Sequence, residues 1–129
     1  MKRKLRILLA RFGSGFEEAL LRLARSCSEA GFEVVYTDVS DPRAIVLSAI
    51  QESVDHIGIT TLPGATVDDF RTLFSELAAQ GVEEIRVTAG GIFPEEDIPQ
   101  VLAMGVLDFY QKNAIYDRIS RWKSLYAEE

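Results

Sequence analysis

The chain has one cysteine, one histidine, no long apolar run and no excess of basic charge. Each shortage removes a class of function. Cys27 has no second cysteine with which to close an internal disulfide, so a cytoplasmic location is expected. Cys27 and the single histidine, His56, fall in different elements, so no nucleophile–base pair is expected and no metal set. The net charge of −6 argues against a nucleic-acid partner, which needs a basic stripe for phosphates. Lys2, Lys4, Arg3 and Arg6 form a local basic start that solvent satisfies. Lysines ahead of leucines at residues 1–10 imitate a secretory leader, but Arg6 and Arg11 leave only residues 7–10 apolar, too short for that role. No stretch reaches the length of a membrane span, and no repeat, linker or low-complexity segment interrupts the chain.

What is present is a single domain of 129 residues, long enough to bury roughly two-thirds of its unfolded surface. Apolar runs of strand length alternate five times with helical patterns. Residues 5–10 read as a buried first strand and residues 17–30 as a helix with Leu20, Leu21, Leu23 and Ala24 inward, stopped by Gly31. Residues 32–36 form the second strand. Asp41 caps a helix that has Pro42 in its first position and runs to about Ser53. Residues 57–60 form strand three, and Thr66 caps a helix through Phe70, Leu73, Phe74 and Leu77 to Gly81. Residues 85–88 form strand four, Pro94 opens a short helix ending near Gly105, and residues 106–110 form strand five. A last amphipathic helix carries Ile115, Ile119, Trp122 and Leu125.

Such alternation predicts an α/β three-layer sandwich: a parallel sheet with helices on both faces, joined by right-handed crossovers. Five units point to the flavodoxin-like strand order 2-1-3-4-5, in which the chain reverses between strands one and three. A crevice is then expected between the loops at residues 11–16 and 61–66, with residues 89–93 alongside.

Three loops meet at that edge. The first carries Arg11, Gly13, Ser14, Gly15 and Phe16 ahead of Glu17 and Glu18. Its glycines can cradle an anion with Arg11 assisting, or form a plain turn whose acidic first turn already answers the helix dipole. The second carries Thr60, Thr61, Leu62, Pro63 and Gly64, whose hydroxyls can bond a ring nitrogen or phosphate or simply end a strand. The third, Gly90 and Gly91, lets something bulky lie against the backbone, or makes a tight connection to Pro94.

The second and third loops, with residues 5–10, 30–37, 57–65 and 90–99, resemble the cobalamin-binding domain of methylmalonyl-CoA mutase and its relatives over about residues 5–110. The resemblance implies a pocket for the cofactor's nucleotide tail lined by a Ser-x-Leu motif, here Thr60 and Leu62, and by a Gly-Gly pair, here Gly90 and Gly91. The same family has an Asp-x-His-x-x-Gly motif after strand one, in which histidine ligates cobalt from below and aspartate orients it. Aligned from Ala30 and Gly31, that motif falls on Ser14, Gly15, Phe16, Glu17, Glu18 and Ala19, in a loop one residue shorter. Phe16 has no lone pair for cobalt, and Ser14 is no charged partner. At 3.3 Å per residue, His56 stands about 13 Å from Thr60 and does not take over the role. After strand five the family has a glycine-rich turn where this chain has Tyr110, Gln111, Lys112 and Asn113, side chains able to crowd a corrin or its tail.

Two readings of the loss stay open. In one, Phe16 is a flat platform under a corrin that keeps its own base or has no lower ligand, with weak affinity supplied by the tail pocket. The chain then serves as a small subunit or cofactor handler for a mutase catalytic chain or another protein, and is no enzyme alone, because the radical chemistry belongs to a separate barrel. In the other, Phe16 and Tyr110 fill the pocket and the domain is an interaction or regulatory module. A phosphoacceptor receiver shares the fold, and Thr88 and Lys112 suit it. It needs an aspartate at the end of strand three, where Thr60, Thr61 and Leu62 stand. A flavin carrier needs a hydroxyl-rich first loop, and Ser14 alone is poor support. The last helix, with Trp122 and Tyr126, covers the sheet or docks a partner.

Overall fold

The computed structural model describes residues 4–15, 17–111 and 119. Five parallel strands lie in the order β2-β1-β3-β4-β5. In chain order they are β1 (Arg6–Phe12), β2 (Glu33–Tyr36), β3 (His56–Thr61), β4 (Arg86–Gly91) and β5 (Phe109–Gln111). Between them run α1 (Glu17–Glu29), α2 (Pro42–Gln51), α3 (Val67–Ala79), and a 3-10 turn at Glu95–Asp97 leading into α4 (Ile98–Met104). The expected fold and strand order are therefore the observed ones. The last amphipathic helix expected from Ile115, Trp122, Leu125 and Tyr126 falls outside the described residues.

Local chemistry sets the helix starts. Asp41 Oδ2 accepts from the Ala44 N–H at 3.4 Å, and Pro42 enters where a helix has no bond to lose. Thr66 and Asp69 form a reciprocal capping box, each side chain accepting from the other's backbone N–H. Helix α2 stops two residues short of the expected end, because Ser53 takes a left-handed φ of 53°.

Strand boundaries differ more. β1 runs through Arg11 to Phe12, which is fully buried; the charge at Arg11 interrupts the apolar run without interrupting the strand. β4 extends to Gly91, so the paired glycines end a strand rather than form a loop. β5 starts three residues late, although Val106 is buried and the Leu107 N–H already bonds the Val87 carbonyl at 2.9 Å.

The two faces of the sheet are packed differently. On the face of α2, α3 and α4, a core of Leu8, Ala10, Phe12, Ile57, Ile59, Val87 and Ala89 meets Ile45, Phe70 and Leu73. On the face of α1, Ile7 and Leu9 meet Leu20, Leu23, Cys27, Phe32, Tyr110 and Ile119. Side chains alternate along a strand. The same alternation therefore turns His56, Gly58 and Thr60 of β3, and Arg86, Thr88 and Gly90 of β4, toward α1.

Candidate ligand edge at the carboxyl ends of the strands

Parallel pairing aligns the expected site residues in rows. Arg11 pairs with Thr60, Thr60 with Gly90, and Gly90 with Tyr110, so four strands contribute one row on the α1 face. The next row is Phe12, Thr61, Gly91 and Gln111. The threonine–leucine step and the double glycine thus stand side by side at one edge, where open α/β sheets take ligands.

On the α2 and α3 face this edge is sealed by aromatic rings. Phe12 meets Phe70 edge-on at 4.9 Å between centroids, Phe70 meets Phe93 at 5.7 Å, and Phe93 meets Phe109 at 5.5 Å. On the α1 face the two central strands present only Gly58, Thr60, Thr88 and Gly90 beyond His56 and Arg86. Gly58, Thr88 and Gly90 are buried and Thr60 is half-buried, so this floor of small residues is covered, and Tyr110 and Ile119 pack on the same face.

Backbone contacts lock the strand tips together. A methyl group built at Gly13, whose φ is +88°, would lie 2.5 Å from the Leu62 carbonyl oxygen and 2.6 Å from that of Pro63. The Leu62 N–H bonds the Phe12 carbonyl at 2.9 Å, and the Ser14 N–H bonds that of Pro63 at 3.1 Å. The first and second loops are therefore joined at their bases, where sequence reading expects a crevice. Gly64 is part of the same junction, since a side chain there would begin 3.7 Å from the Gly13 Cα. Leu62 is buried, Ser14 and Gly15 are exposed, and Phe16 lies outside the described residues.

The double glycine also has internal neighbours. A methyl group at Gly91, with φ +125°, would sit 2.4 Å from the Thr61 carbonyl oxygen, which already accepts from the Ile92 N–H at 3.0 Å. Thr61 Oγ1 donates to the Gly90 carbonyl at 3.1 Å. At Gly90 a methyl group would lie 2.6 Å from the Tyr110 carbonyl oxygen and 3.1 Å from its Cβ. Packing alone thus gives a reason for both glycines, so their presence no longer requires a ligand. Sequence reading missed the parts played by Thr61, Thr88 and Gly58. A period-two reading of β3 and β4, continued through the glycines, contains the signal.

His56 and Cys27 are far from this chemistry. His56 opens β3 at the opposite end of the strand, fully buried, with Nε2 2.8 Å from Thr88 Oγ1. Burial, reinforced by the Arg86 charge and partly opposed by Asp55, pushes its pKa down to about 3. Burial pushes the Cys27 thiol up to about 12. We expect Cys27 to resist a thiol reagent such as dithiobisnitrobenzoate in the folded protein and to react at once in denaturant. Rapid labelling without denaturant would contradict its placement on the buried face of α1. Among the described residues no group of His, Cys, Asp or Glu is arranged to hold a metal ion. No helix among them is long and apolar enough to cross a membrane.

Comparison with known proteins agrees with this geometry. The profile of the B12 binding domain matches residues 7–117. The 2-hydroxyisobutanoyl-CoA mutase small subunit of Aquincola tertiaricarbonis is 35% identical over 104 residues, 79% of this chain and 76% of that one. The methylmalonyl-CoA mutase large subunit of Propionibacterium freudenreichii subsp. shermanii is 28% identical over 115 residues, 88% of this chain but only 16% of that protein's length. Among solved structures, a cobalamin-binding protein from Desulfitobacterium hafniense DCB-2 superposes with a TM-score of 0.75 at 20% identity, covering 93% of this chain and 58% of that one. The signal receiver domain of NarL from Mycobacterium tuberculosis gives 0.73 at 16% identity over 98% of both chains. At such identities these two likenesses establish the fold alone, and one fold carries unrelated chemistries. The match over residues 7–117 and the 35% identity over three-quarters of a mutase small subunit establish the family: the chain belongs to the B12-binding domain family.

Proposed function

We propose that this chain binds cobalamin weakly, through the nucleotide tail and without a histidine on cobalt, as the small subunit or cofactor handler of an acyl-CoA mutase. The observation that carries the reading is the contrast between the faces of the ligand edge. One face is sealed by Phe12, Phe70, Phe93 and Phe109, while the other is floored by Gly58, Thr60, Thr88 and Gly90.

For a flat appendage to lie over that floor, whose Gly58, Thr88 and Gly90 are buried, its cover must yield; the half-buried Thr60 hydroxyl is then the hydrogen-bonding partner, and Leu62 and Gly64 fix the adjoining loop. A protein-derived cobalt ligand does not fit. Ser14, Gly15 and Phe16 offer no imidazole, and His56 is occupied with Thr88 at the other end of β3. When bound, cobalamin supplies radical chemistry to an acyl-CoA site on another chain; this chain holds and orients it. The likeness to a mutase small subunit supports a catalytic partner chain.

A second reading is favoured by one observation, the occupation of the glycine positions by Thr61 and Tyr110. In it the domain no longer takes cobalamin and serves as an interaction or regulatory module.

Titration with hydroxocobalamin and adenosylcobalamin, followed in the visible, separates the two. Binding at micromolar to high-micromolar protein is expected. With cob(II)alamin and uniformly 15N-labelled protein, the EPR spectrum should carry no 15N splitting, since no protein nitrogen reaches cobalt. A 15N doublet would overturn the absence of histidine ligation. If neither cobalamin binds at high-micromolar protein, the second reading stands.

A further inference from the structure

Resting on the cobalamin reading, we infer that Arg11 anchors the phosphodiester that links the corrin to its nucleotide base. Arg11 is the first member of the row that continues through Thr60, Gly90 and Tyr110, so it shares their face and their height at the carboxyl edge. It is half-buried, and its Nη2 lies 3.4 Å from the Asp38 carbonyl oxygen, which holds the guanidinium beside the tip of β2.

Among the described residues of the strand ends and loops at this edge, Arg11 is the one basic side chain; Arg43, in the first turn of α2, is turned to Glu76 at 3.8 Å. A chain of net charge −6 repels an anionic ligand unless a cation stands where the anion lands. The adjoining turn adds room, because among the described residues nothing lies within 4 Å of a methyl group built at Gly15. Guanidinium is suited to a phosphodiester, since its planar fork matches two phosphate oxygens with parallel charge-assisted bonds.

The test compares hydroxocobalamin with cobinamide, which has the corrin but neither phosphate, ribose nor base. Arg11→Gln should weaken hydroxocobalamin binding about tenfold and flatten its salt dependence, as expected for one lost charge-assisted bond. Cobinamide affinity should stay within about twofold of the parent. Arg11→Lys keeps the charge without the fork and should fall between the two. Melting temperature of each variant without ligand reports any loss of the Asp38 contact. Equal losses for both ligands, or an unchanged hydroxocobalamin affinity in Arg11→Gln, would overturn the assignment while leaving the cobalamin reading intact. If the parent chain binds no cobalamin, both fall together.

Discussion

Replacing Gly91 by alanine should destabilise the ligand-free protein by about 3 kcal/mol and lower its melting temperature by roughly 10 °C. Two costs add at this position. The backbone sits at φ +125°, which L side chains rarely adopt, and the new methyl would lie 2.4 Å from the Thr61 carbonyl oxygen. That oxygen cannot simply retreat, because it accepts from the Ile92 N–H, while the Thr61 hydroxyl ties the same strand to the Gly90 carbonyl. Gly15→Ala is the internal control. Its φ is +109° but among the described residues nothing lies within 4 Å of the added methyl, so backbone strain is the main cost, at about 1 kcal/mol. A Gly91→Ala protein that melts within about 2 °C of the parent would restore the view that the double glycine exists only to admit a ligand. Calorimetry of the two variants without cobalamin is sufficient.

Stability should fall steeply as pH drops below about 6.5, and His56 should be responsible for much of the fall. In the unfolded chain the imidazole has its ordinary value of 6.5, whereas in the fold it is pushed down to about 3. Between those values the unfolded state takes up a proton that the folded state refuses, so acid favours unfolding. The full contribution is present above pH 6.5 and is lost progressively as pH falls toward 3. The slope approaches about 1.4 kcal/mol per pH unit, or roughly 2 kcal/mol between pH 6.5 and pH 5. Burial is the main cause, with the Arg86 charge adding to it and Asp55 acting against it. Urea titrations at several pH values read the slope directly. His56→Gln removes the titrating group and should flatten the profile in this window, at some loss of stability near neutral pH. A parent profile that is flat from pH 7 to 5 would mean that the His56–Thr88 pair opens to water.

Both predictions concern groups whose role depends on neighbours far away in the chain. Sequence reading places His56 near the start of β3 and far from the carboxyl edge, as in the structure, since distance along a strand follows from residue count. It does not find Thr88, 32 positions later, whose hydroxyl lies 2.8 Å from His56 Nε2. Likewise Gly90 and Gly91 are visible as a pair, but they look like a loop because glycine weakens any strand pattern. In the structure they continue the ladder with Thr60 and Thr61. Arg11 misleads in the same way: a charge within an apolar run suggests a strand end, yet the strand continues to Phe12, which is fully buried.

The order of apolar runs and helical patterns was enough to specify a parallel five-stranded sheet, because crossovers have one hand and strands buried on both faces announce themselves by composition. The missing imidazole in the first loop was equally plain, since a ligand atom is either in the residue or it is not. Which residues line each side of the carboxyl edge was decided by packing, where phenylalanines from four segments converge on one side and glycines and threonines line up on the other. Register between strands separated by dozens of residues creates those rows, and no local pattern encodes it.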